Sequence, residues 1–96
     1  MMVLITYDVS TKTASGQKRL RQVARLCENY GQRVQNSVFE CLIDPQQFTE
    51  LQFELQRTID PATDSLRFYH LGAKWKGKVE HIGANQNYDP EGFIMI

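Results

Sequence analysis

Hydrophobic residues along this 96-residue chain follow strand-like and helix-like spacings in a definite order, and that order limits the possible folds. Residues 2–9 form an apolar run that ends in a carboxylate, which predicts a first strand. The consecutive Val3, Leu4 and Ile5 indicate burial on both faces. An ionised Asp8 beside such a run must be exposed, hydrogen-bonded, paired with a cation or bound to a metal. Asp8 is therefore either a functional group at a strand end or the cap of the following turn.

The first helical pattern follows a loop at residues 12–16. Ser15 is expected to be the N-cap, the helix to run to about Tyr30, and Gly31 to end it. Apolar residues at helical spacing predict one buried stripe. The stripe consists of Leu20, Val23, Ala24, Cys27 and Tyr30.

Charges are segregated along the chain, although they sum to zero. Residues 12–33 contain six basic side chains against Glu28 alone, and residues 40–64 contain six acidic side chains against Arg57 alone. The side of the first helix opposite its apolar stripe is cationic and lacks acidic partners one turn away. A local cationic patch attracts a polyanion whatever the net charge, which favours anion binding here over an ordinary solvated surface. This cationic stripe consists of Lys18, Arg21 and Arg25.

The middle of the chain predicts strand at residues 33–43, with a tight turn or bulge at residues 36–37. The pattern fits both a hairpin and one kinked strand. A second helix follows, with Asp44 as N-cap, Pro45 at its first position and Gln47 completing a capping box, and it ends at Asp60-Pro61. Its outward face is acidic and is not expected to touch nucleic acid. Its buried stripe is predicted to be Phe48, Leu51, Leu55 and Ile59.

The last third of the chain begins with an alternating strand pattern at residues 64–71. Residues 72–78 form a glycine-bounded loop in which lysines flank Trp75, a composition that suits contact with a nucleic-acid backbone or, equally, coverage of an apolar surface. A short strand is expected at residues 78–82. The apolar residues 93–96 are expected to pair with a sheet edge of this chain or of a second subunit.

This order of elements predicts the α/β (α+β) class and a single domain over residues 1–96: a ferredoxin-like split βαβ sandwich with a mostly antiparallel sheet and two helices on one face. The other face of the sheet then lacks a cover within the chain, which predicts a homodimer with the C-terminal strand added at the dimer edge. Without an apolar run of about 18 residues or a signal peptide, we expect a cytoplasmic protein. Cys27 and Cys41 lack CxxC spacing and are expected to be reduced core thiols.

Few chemistries fit the remaining residues. Neither His70 nor His81 lies in a hydrolase motif, Gly16 is not part of a phosphate loop, and the cysteines and histidines do not readily supply a zinc site. What remains is the strand-end Asp8 followed by a cationic helix. Mg²⁺ prefers oxygen ligands, keeps several waters and needs one or two carboxylates, which the Asp8 side chains of two subunits could provide. Such a metal would polarise a phosphodiester and activate water.

Three segments of the chain resemble the small CRISPR-associated proteins of the second Cas family. They are residues 4–10 (LITYDVS), residues 18–24 with the Tyr-Gly pair after the helix, and residues 33–41 (RVQNSVFEC), of which the last is the most specific. The resemblance implies a ferredoxin-like homodimer of prokaryotic adaptive immunity. Members are described both as metal-dependent endonucleases and as the subunit that bridges dimers of the CRISPR integrase during spacer acquisition.

The resemblance also implies site residues. The family's metal ligand corresponds to Asp8, and Tyr7, Arg33 and Phe39 match other positions linked to activity, whereas Asn36 replaces a more usual aromatic residue. The expected cofactor is Mg²⁺ or another hard divalent cation. The expected partners are a second copy of the chain, the CRISPR integrase subunit, and DNA or RNA. The candidate nucleic-acid contacts are Lys12, Lys18, Arg19, Arg21, Arg25, Lys74 and Lys76.

Two functions of different class follow from these residues and the resemblance. One is a metal-dependent endonuclease, and the other is a non-catalytic adaptor that holds DNA by phosphate contacts. We expect the adaptor role to be biologically primary and the nuclease activity to be conditional. A third alternative is an RNA-binding module or a toxin ribonuclease of related fold.

Overall fold

The computed structural model describes residues 1–72 and 79–84. Along these residues the elements follow in the order β1 (Met2–Asp8), α1 (Ala14–Glu28), β2 (Gly31–Gln35), β3 (Val38–Leu42), α2 (Pro45–Thr58), β4 (Ser65–Leu71) and β5 (Val79–Gly83). The strands form one sheet in the order β2-β3-β1-β4-β5, in which every neighbouring pair is antiparallel. Both helices contribute side chains to one core against one face of this sheet. The predicted ferredoxin-like sandwich is confirmed.

Burial along the central strand β1 alternates from residue to residue. Val3, Ile5 and Tyr7 are buried among the core side chains, whereas Met2 and Leu4 are only partly buried. The expected burial of β1 on both faces is therefore not found within the single chain. Successive side chains of a strand point to opposite faces, and the helices cover only one of them. We refer to the other face, which carries Leu4, as the open face.

Side chains cap the N-termini of both helices. In α1 the cap is Thr13, whose hydroxyl accepts a hydrogen bond from the Gly16 backbone N–H at 3.0 Å. Ser15, the expected cap, lies in the first turn instead. In α2 the predicted capping box is confirmed, since the Asp44 carboxylate accepts from the Gln47 N–H at 2.7 Å and the Gln47 amide oxygen accepts from the Asp44 N–H at 3.1 Å.

The segment between the two helices is a hairpin, which decides between the two predicted alternatives. Strands β2 and β3 pair antiparallel, with a bulge between Arg33 and Gln35. Gly31, which was expected to end the first helix, is the first residue of β2, because α1 already ends at Glu28. A Cβ atom at Gly31 would lie 1.9 Å from the backbone oxygen of Glu40, so only glycine permits this approach of the two strands.

The core between the sheet and the helices contains most of the predicted stripes. Two residues of the first predicted stripe, Leu20 of α1 and Tyr30 just after that helix, are only partly buried at the margin of the core. Cys27 and Cys41 are buried free thiols, as predicted, and Cys41 Sγ donates to the Cys27 carbonyl oxygen at 3.6 Å. The fully or nearly buried members of the two stripes are Val23, Ala24 and Cys27 in α1, with Phe48, Leu51, Leu55 and Ile59 at α2.

Several predictions concern residues outside the described ranges 1–72 and 79–84. These are the nucleic-acid contacts Lys74 and Lys76, the loop around Trp75, and the C-terminal strand at residues 93–96. Among the helices of the described ranges, none has the length and apolar character needed to cross a membrane.

Candidate functional site

Asp8 is the last residue of β1, and its side chain is exposed. In the antiparallel register it lies opposite Ser65 of β4, and two residues earlier Thr6 lies opposite Arg67. Residues opposite each other on neighbouring strands share a face, as do alternate residues of one strand. Asp8 and Arg67 therefore lie on the open face, next to each other at the same end of the sheet.

A cleft of about 270 Å³ opens beside Asp8. Its lining combines one carboxylate and one guanidinium with hydroxyl-bearing residues from β1, β4 and the β2–β3 turn. Carboxylate and hydroxyl oxygens suit a hard cation, and a guanidinium suits a phosphate, so the cleft can accommodate both components of phosphodiester chemistry. The lining residues are Thr6, Tyr7, Asp8, Ser37, Ser65 and Arg67.

Behind the cleft, on the helix-covered side, the fully buried Asp64 connects β1 to α1. Its Oδ2 atom accepts hydrogen bonds from the Tyr7 hydroxyl at 2.5 Å and from Arg19 Nε at 2.8 Å. The backbone N–H of Asp60, at 3.0 Å, and the Thr63 hydroxyl, at 3.2 Å, add two more donors. A buried carboxylate is tolerated here because it is both paired and hydrogen-bonded.

This network shifts the pKa values of its members. Burial raises the pKa of the Asp64 carboxyl, but hydrogen bonds from Arg19 and Tyr7 outweigh burial and hold that pKa below its ordinary value. Burial, reinforced by the hydrogen bond to Asp64, raises the pKa of the Tyr7 hydroxyl. At neutral pH Tyr7 is thus a protonated donor to an ionised Asp64, and its hydroxyl points away from the cleft.

Arg33 and Phe39 meet across the β2–β3 hairpin. The Arg33 guanidinium lies 5.7 Å from the centroid of the Phe39 ring, and Arg33 Nε donates to the Asn36 carbonyl oxygen at 2.7 Å. Phe39 is fully buried, whereas Arg33 is exposed. Arg33 therefore holds the turn that carries Ser37, a residue of the cleft lining, while its guanidinium lies over the buried Phe39 ring.

The basic residues in and before α1 fall into two groups. Arg19 forms an ion pair with Asp64, and only 21% of its side chain is exposed. A guanidinium held in this way stabilises the fold and is a poor candidate for a phosphate contact. The exposed members, which remain candidates for nucleic-acid contact, are Lys12, Lys18, Arg21 and Arg25.

Among the described residues, the carboxylate that lines the cleft of one chain is that of Asp8. Across residues 1–72 and 79–84 there is no group of three His, Cys, Asp or Glu side chains that could hold a metal ion. Since Mg²⁺ takes one or two protein carboxylates and keeps several waters, the donor set fits part of a magnesium site.

The sequence over this region matches a known family. Residues 1–79, which include every residue of the cleft, match the family model described as CRISPR associated protein Cas2. The chain belongs to the Cas2 family. The predicted resemblance is confirmed.

Individual Cas2 proteins are similar over the whole chain. The CRISPR-associated endonuclease Cas2 of Halalkalibacterium halodurans is 60% identical over 96 residues, and the CRISPR-associated endoribonuclease Cas2 of Chlorobaculum tepidum is 54% identical over 96 residues; each comparison covers 100% of both chains. The crystal structure of Streptococcus pyogenes Cas2 at pH 6.5 has a TM-score of 0.75 at 59% identity, covering 83% of this chain and 96% of that one. The Streptococcus pyogenes protein therefore has the fold described above.

Asp64 and Arg67 are residues of this Cas2-family site that the sequence does not mark as functional. Asp64 belongs to the acidic segment and to the predicted strand at residues 64–71, and neither pattern indicates a site residue. The signal that could have identified Asp64 is its place directly before the buried strand β4, where an acidic side chain needs a partner. Because Asp64 precedes Ser65 and binds Tyr7, which precedes Asp8, it fixes two walls of the cleft from behind.

Proposed function

We propose that this Cas2-family protein is a homodimeric, metal-dependent endonuclease of CRISPR spacer acquisition that also bridges DNA within the integrase complex. The observation that carries the proposal is the exposed Asp8 at the end of β1, in a cleft on the open face. The names of the relatives, endonuclease and endoribonuclease Cas2, support the nuclease activity. The proposal treats residues 1–96 as one domain acting in the cytoplasm.

The open face supports the dimer. At the end of β1 opposite to Asp8, Met2 pairs with Leu42 of β3 and with Leu71 of β4. Leu42 is 69% exposed and Leu71 is 45% exposed, although both are large and apolar. Adjacent exposed apolar side chains favour association, and a two-fold contact uses the same patch of both copies. Association through this face brings two Asp8-bearing clefts into one assembly.

Asp8 is the residue that would hold the metal ion, with a second Asp8 from the other copy as the additional carboxylate. A bound Mg²⁺ supplies a Lewis acid for the phosphodiester and lowers the pKa of a water molecule. The protein contributes the position of Asp8, which is set by the pairing of β1 with β3 and β4. Tyr7, which precedes Asp8, assists by donating a hydrogen bond to the buried Asp64. Arg33 holds the turn of Ser37 through Asn36, and its guanidinium lies over the Phe39 ring.

The cationic stripe of α1 supplies the contacts to the nucleic-acid backbone in this proposal. Lys18, Arg21 and Arg25 are exposed along one side of a rigid helix. Contacts of this kind bind phosphates without reading the sequence and weaken steeply with salt. The same contacts serve both functions, since a bridging subunit and a nuclease both have to hold the backbone.

A cleavage assay tests the nuclease. Wild-type protein, Asp8→Asn and Glu50→Gln are incubated with labelled RNA and labelled DNA, with and without Mg²⁺. We expect Mg²⁺-dependent cleavage by the wild type and by Glu50→Gln, whose substitution lies on α2, and its loss in Asp8→Asn. Cleavage that persists in Asp8→Asn or without a divalent metal contradicts the metal mechanism.

The non-catalytic adaptor is the second candidate function, and it is favoured because the described residues bring only one carboxylate, that of Asp8, to the cleft. A complete active site within one chain would remove the need for a partner, whereas an adaptor needs only the open face and the cationic stripe. Asp8→Asn that still binds DNA and still assembles with the CRISPR integrase supports this role. In the same assay, a variant with Gln at all three positions of the cationic stripe (Lys18, Arg21 and Arg25) should lose DNA binding. Retained DNA binding by this variant contradicts the adaptor role of the stripe.

A further inference from the structure

Among the described residues, Arg67 supplies the guanidinium that lines the cleft beside Asp8. It lies on β4 opposite Thr6 of β1 and opposite His81 of β5. Its Nε atom lies 3.4 Å from His81 Nδ1 and donates to that atom. The strand pairing and this contact limit the rotamers of a long side chain, so less entropy is lost when a ligand binds to it.

The neighbours of Arg67 in the cleft are hydroxyl-bearing residues. Ser65 follows the buried Asp64, and Ser37 lies in the turn that Arg33 holds through Asn36. A planar guanidinium binds a phosphate through two parallel N–H donors, and serine hydroxyls donate to the remaining oxygens. The backbone at both serines is held by these contacts, so Arg67, Ser37 and Ser65 form a preformed group of donors.

We infer that Arg67, with Ser37 and Ser65, forms a phosphate subsite that binds the phosphodiester of a nucleic acid next to Asp8. The inference rests on the proposed function for its substrate. It differs from the cationic stripe in position. The stripe lies on α1 and would contact the backbone there, whereas this subsite would bind one phosphate within the cleft. A phosphate bound there would lie beside the Arg67 cation and near Asp8, the residue that would hold the metal ion.

The first experiment measures binding alone, without Mg²⁺. The affinities of wild type, Arg67→Gln and the control Arg57→Gln for fluorescent single-stranded RNA and duplex DNA are measured over a salt series. Arg67→Gln keeps the length of the side chain and loses its charge. We expect its affinity to fall about tenfold and its salt slope to decrease by about 1 for each subunit that contacts the probe. Arg57→Gln, on the acidic α2, should match the wild type.

The second experiment uses wild-type protein and so does not depend on the folding of a variant. An arginine-specific dicarbonyl reagent is applied with and without duplex DNA, and modification at Arg67 and at Arg57 is quantified by peptide mass spectrometry. We expect bound DNA to protect Arg67 and to leave Arg57 unchanged. Equal modification of Arg67 with and without DNA, together with an unchanged salt slope in Arg67→Gln, overturns the inference.

Three further outcomes separate this subsite from its alternatives. If Arg67 instead pairs with a carboxylate of a second copy, Arg67→Gln changes the dimerisation constant in sedimentation and leaves the salt slope unchanged, which also overturns the inference. If the wild type shows no Mg²⁺-dependent cleavage but Arg67→Gln lowers the salt slope, the nuclease proposal fails and the phosphate subsite stands. If cleavage depends on Asp8 but neither cleavage nor binding changes in Arg67→Gln, the nuclease proposal stands and the phosphate subsite is overturned.

Discussion

Two aspartates lie at neighbouring strand ends of this protein and have opposite environments. Asp8 ends β1 on the open face and is exposed, whereas Asp64 directly precedes β4 and is fully buried on the helix-covered side. Asp64 has Tyr7 and Arg19 as partners, while Asp8 lines a cleft with Arg67. One side-chain type at two adjacent positions thus has two roles. Burial and fixed donors make Asp64 structural, and exposure leaves Asp8 available for chemistry.

Which face of the sheet a side chain lies on, and not its position along the strand, separates the buried network from the exposed Asp8. Tyr7 and Asp8 are consecutive, and alternation in β1 sends the first towards α1 and the second to the open face. A network on one side of the sheet can therefore hold a candidate functional residue on the other side. If stability depends on Asp64 and function on Asp8, substitutions should reduce stability most at Asp64, less at Tyr7 and least at Asp8.

Asp64→Ala should have the largest effect. It leaves Arg19 without its carboxylate and the buried Tyr7 hydroxyl without an acceptor, and we expect a loss of about 3 kcal/mol in the free energy of unfolding. Urea denaturation followed by circular dichroism measures this loss. Asp60→Ala, at a less buried acidic position nearby, is the control and should cost less. A loss below about 1 kcal/mol for Asp64→Ala would show that the network is not a stabilising one.

The pH dependence of stability should also depend on Asp64. Its pKa in the folded state is held below the unfolded value of about 3.9. Its contribution is therefore fully present above the unfolded pKa and is lost as the pH falls through the folded pKa. We expect wild-type stability to fall more steeply in acid than that of Asp64→Asn, measured by urea denaturation at a series of acidic pH values. Parallel curves would contradict the lowered pKa.

Local signals account for what could be predicted from the sequence. The order of elements, the capping box of Asp44 and the buried stripe of α2 depend on neighbours within one or two turns, and all were predicted. The two wrong predictions at the ends of the first helix, the N-cap at Ser15 and the stop at Gly31, also have local causes. Thr13 and Ser15 are both good caps two residues apart, and Gly31 is equally typical of a helix end and of a close strand approach.

The candidate site was only half predictable, because most of it is assembled by long-range contacts. Asp8 could be identified from its place after an apolar run. Asp64 binds Tyr7 and Arg19 across 57 and 45 residues, and no pattern within a helix or strand reveals such partners. Arg67 likewise reaches the cleft only through the register of β4 against β1. Only the structure shows that Asp8 lies on the open face and that the Asp64 network lies behind it.

Tyr7→Phe removes one donor from Asp64 and keeps the ring in the core. We expect a loss of about 1.5 kcal/mol in the free energy of unfolding, because the lost hydrogen bond has a charged acceptor. Because the pKa of Tyr7 is raised in the folded state, its contribution is present below the unfolded pKa of about 10 and is lost as the pH rises through the folded pKa. Tyr7→Phe should therefore be less sensitive to alkali than the wild type.

Tyr30→Phe is the matched control for this experiment, since it removes the same atom from a ring at the margin of the core. Its stability should remain close to that of the wild type. If both variants lose the same stability, the hydrogen bond of Tyr7 to Asp64 has no special contribution, and the role assigned to Tyr7 in anchoring β1 has to be abandoned.

Asp8→Asn should have the smallest effect on stability, within about 0.5 kcal/mol of the wild type in urea denaturation, because the side chain is exposed. Its effect should appear only when a metal is added. A ligand that binds the folded state alone raises the melting temperature, so Mg²⁺ should stabilise the wild type and not Asp8→Asn. A large destabilisation by Asp8→Asn without metal would show that Asp8, like Asp64, stabilises the fold. Equal stabilisation of both proteins by Mg²⁺ would move the ion away from Asp8 and leave the open face with a docking role.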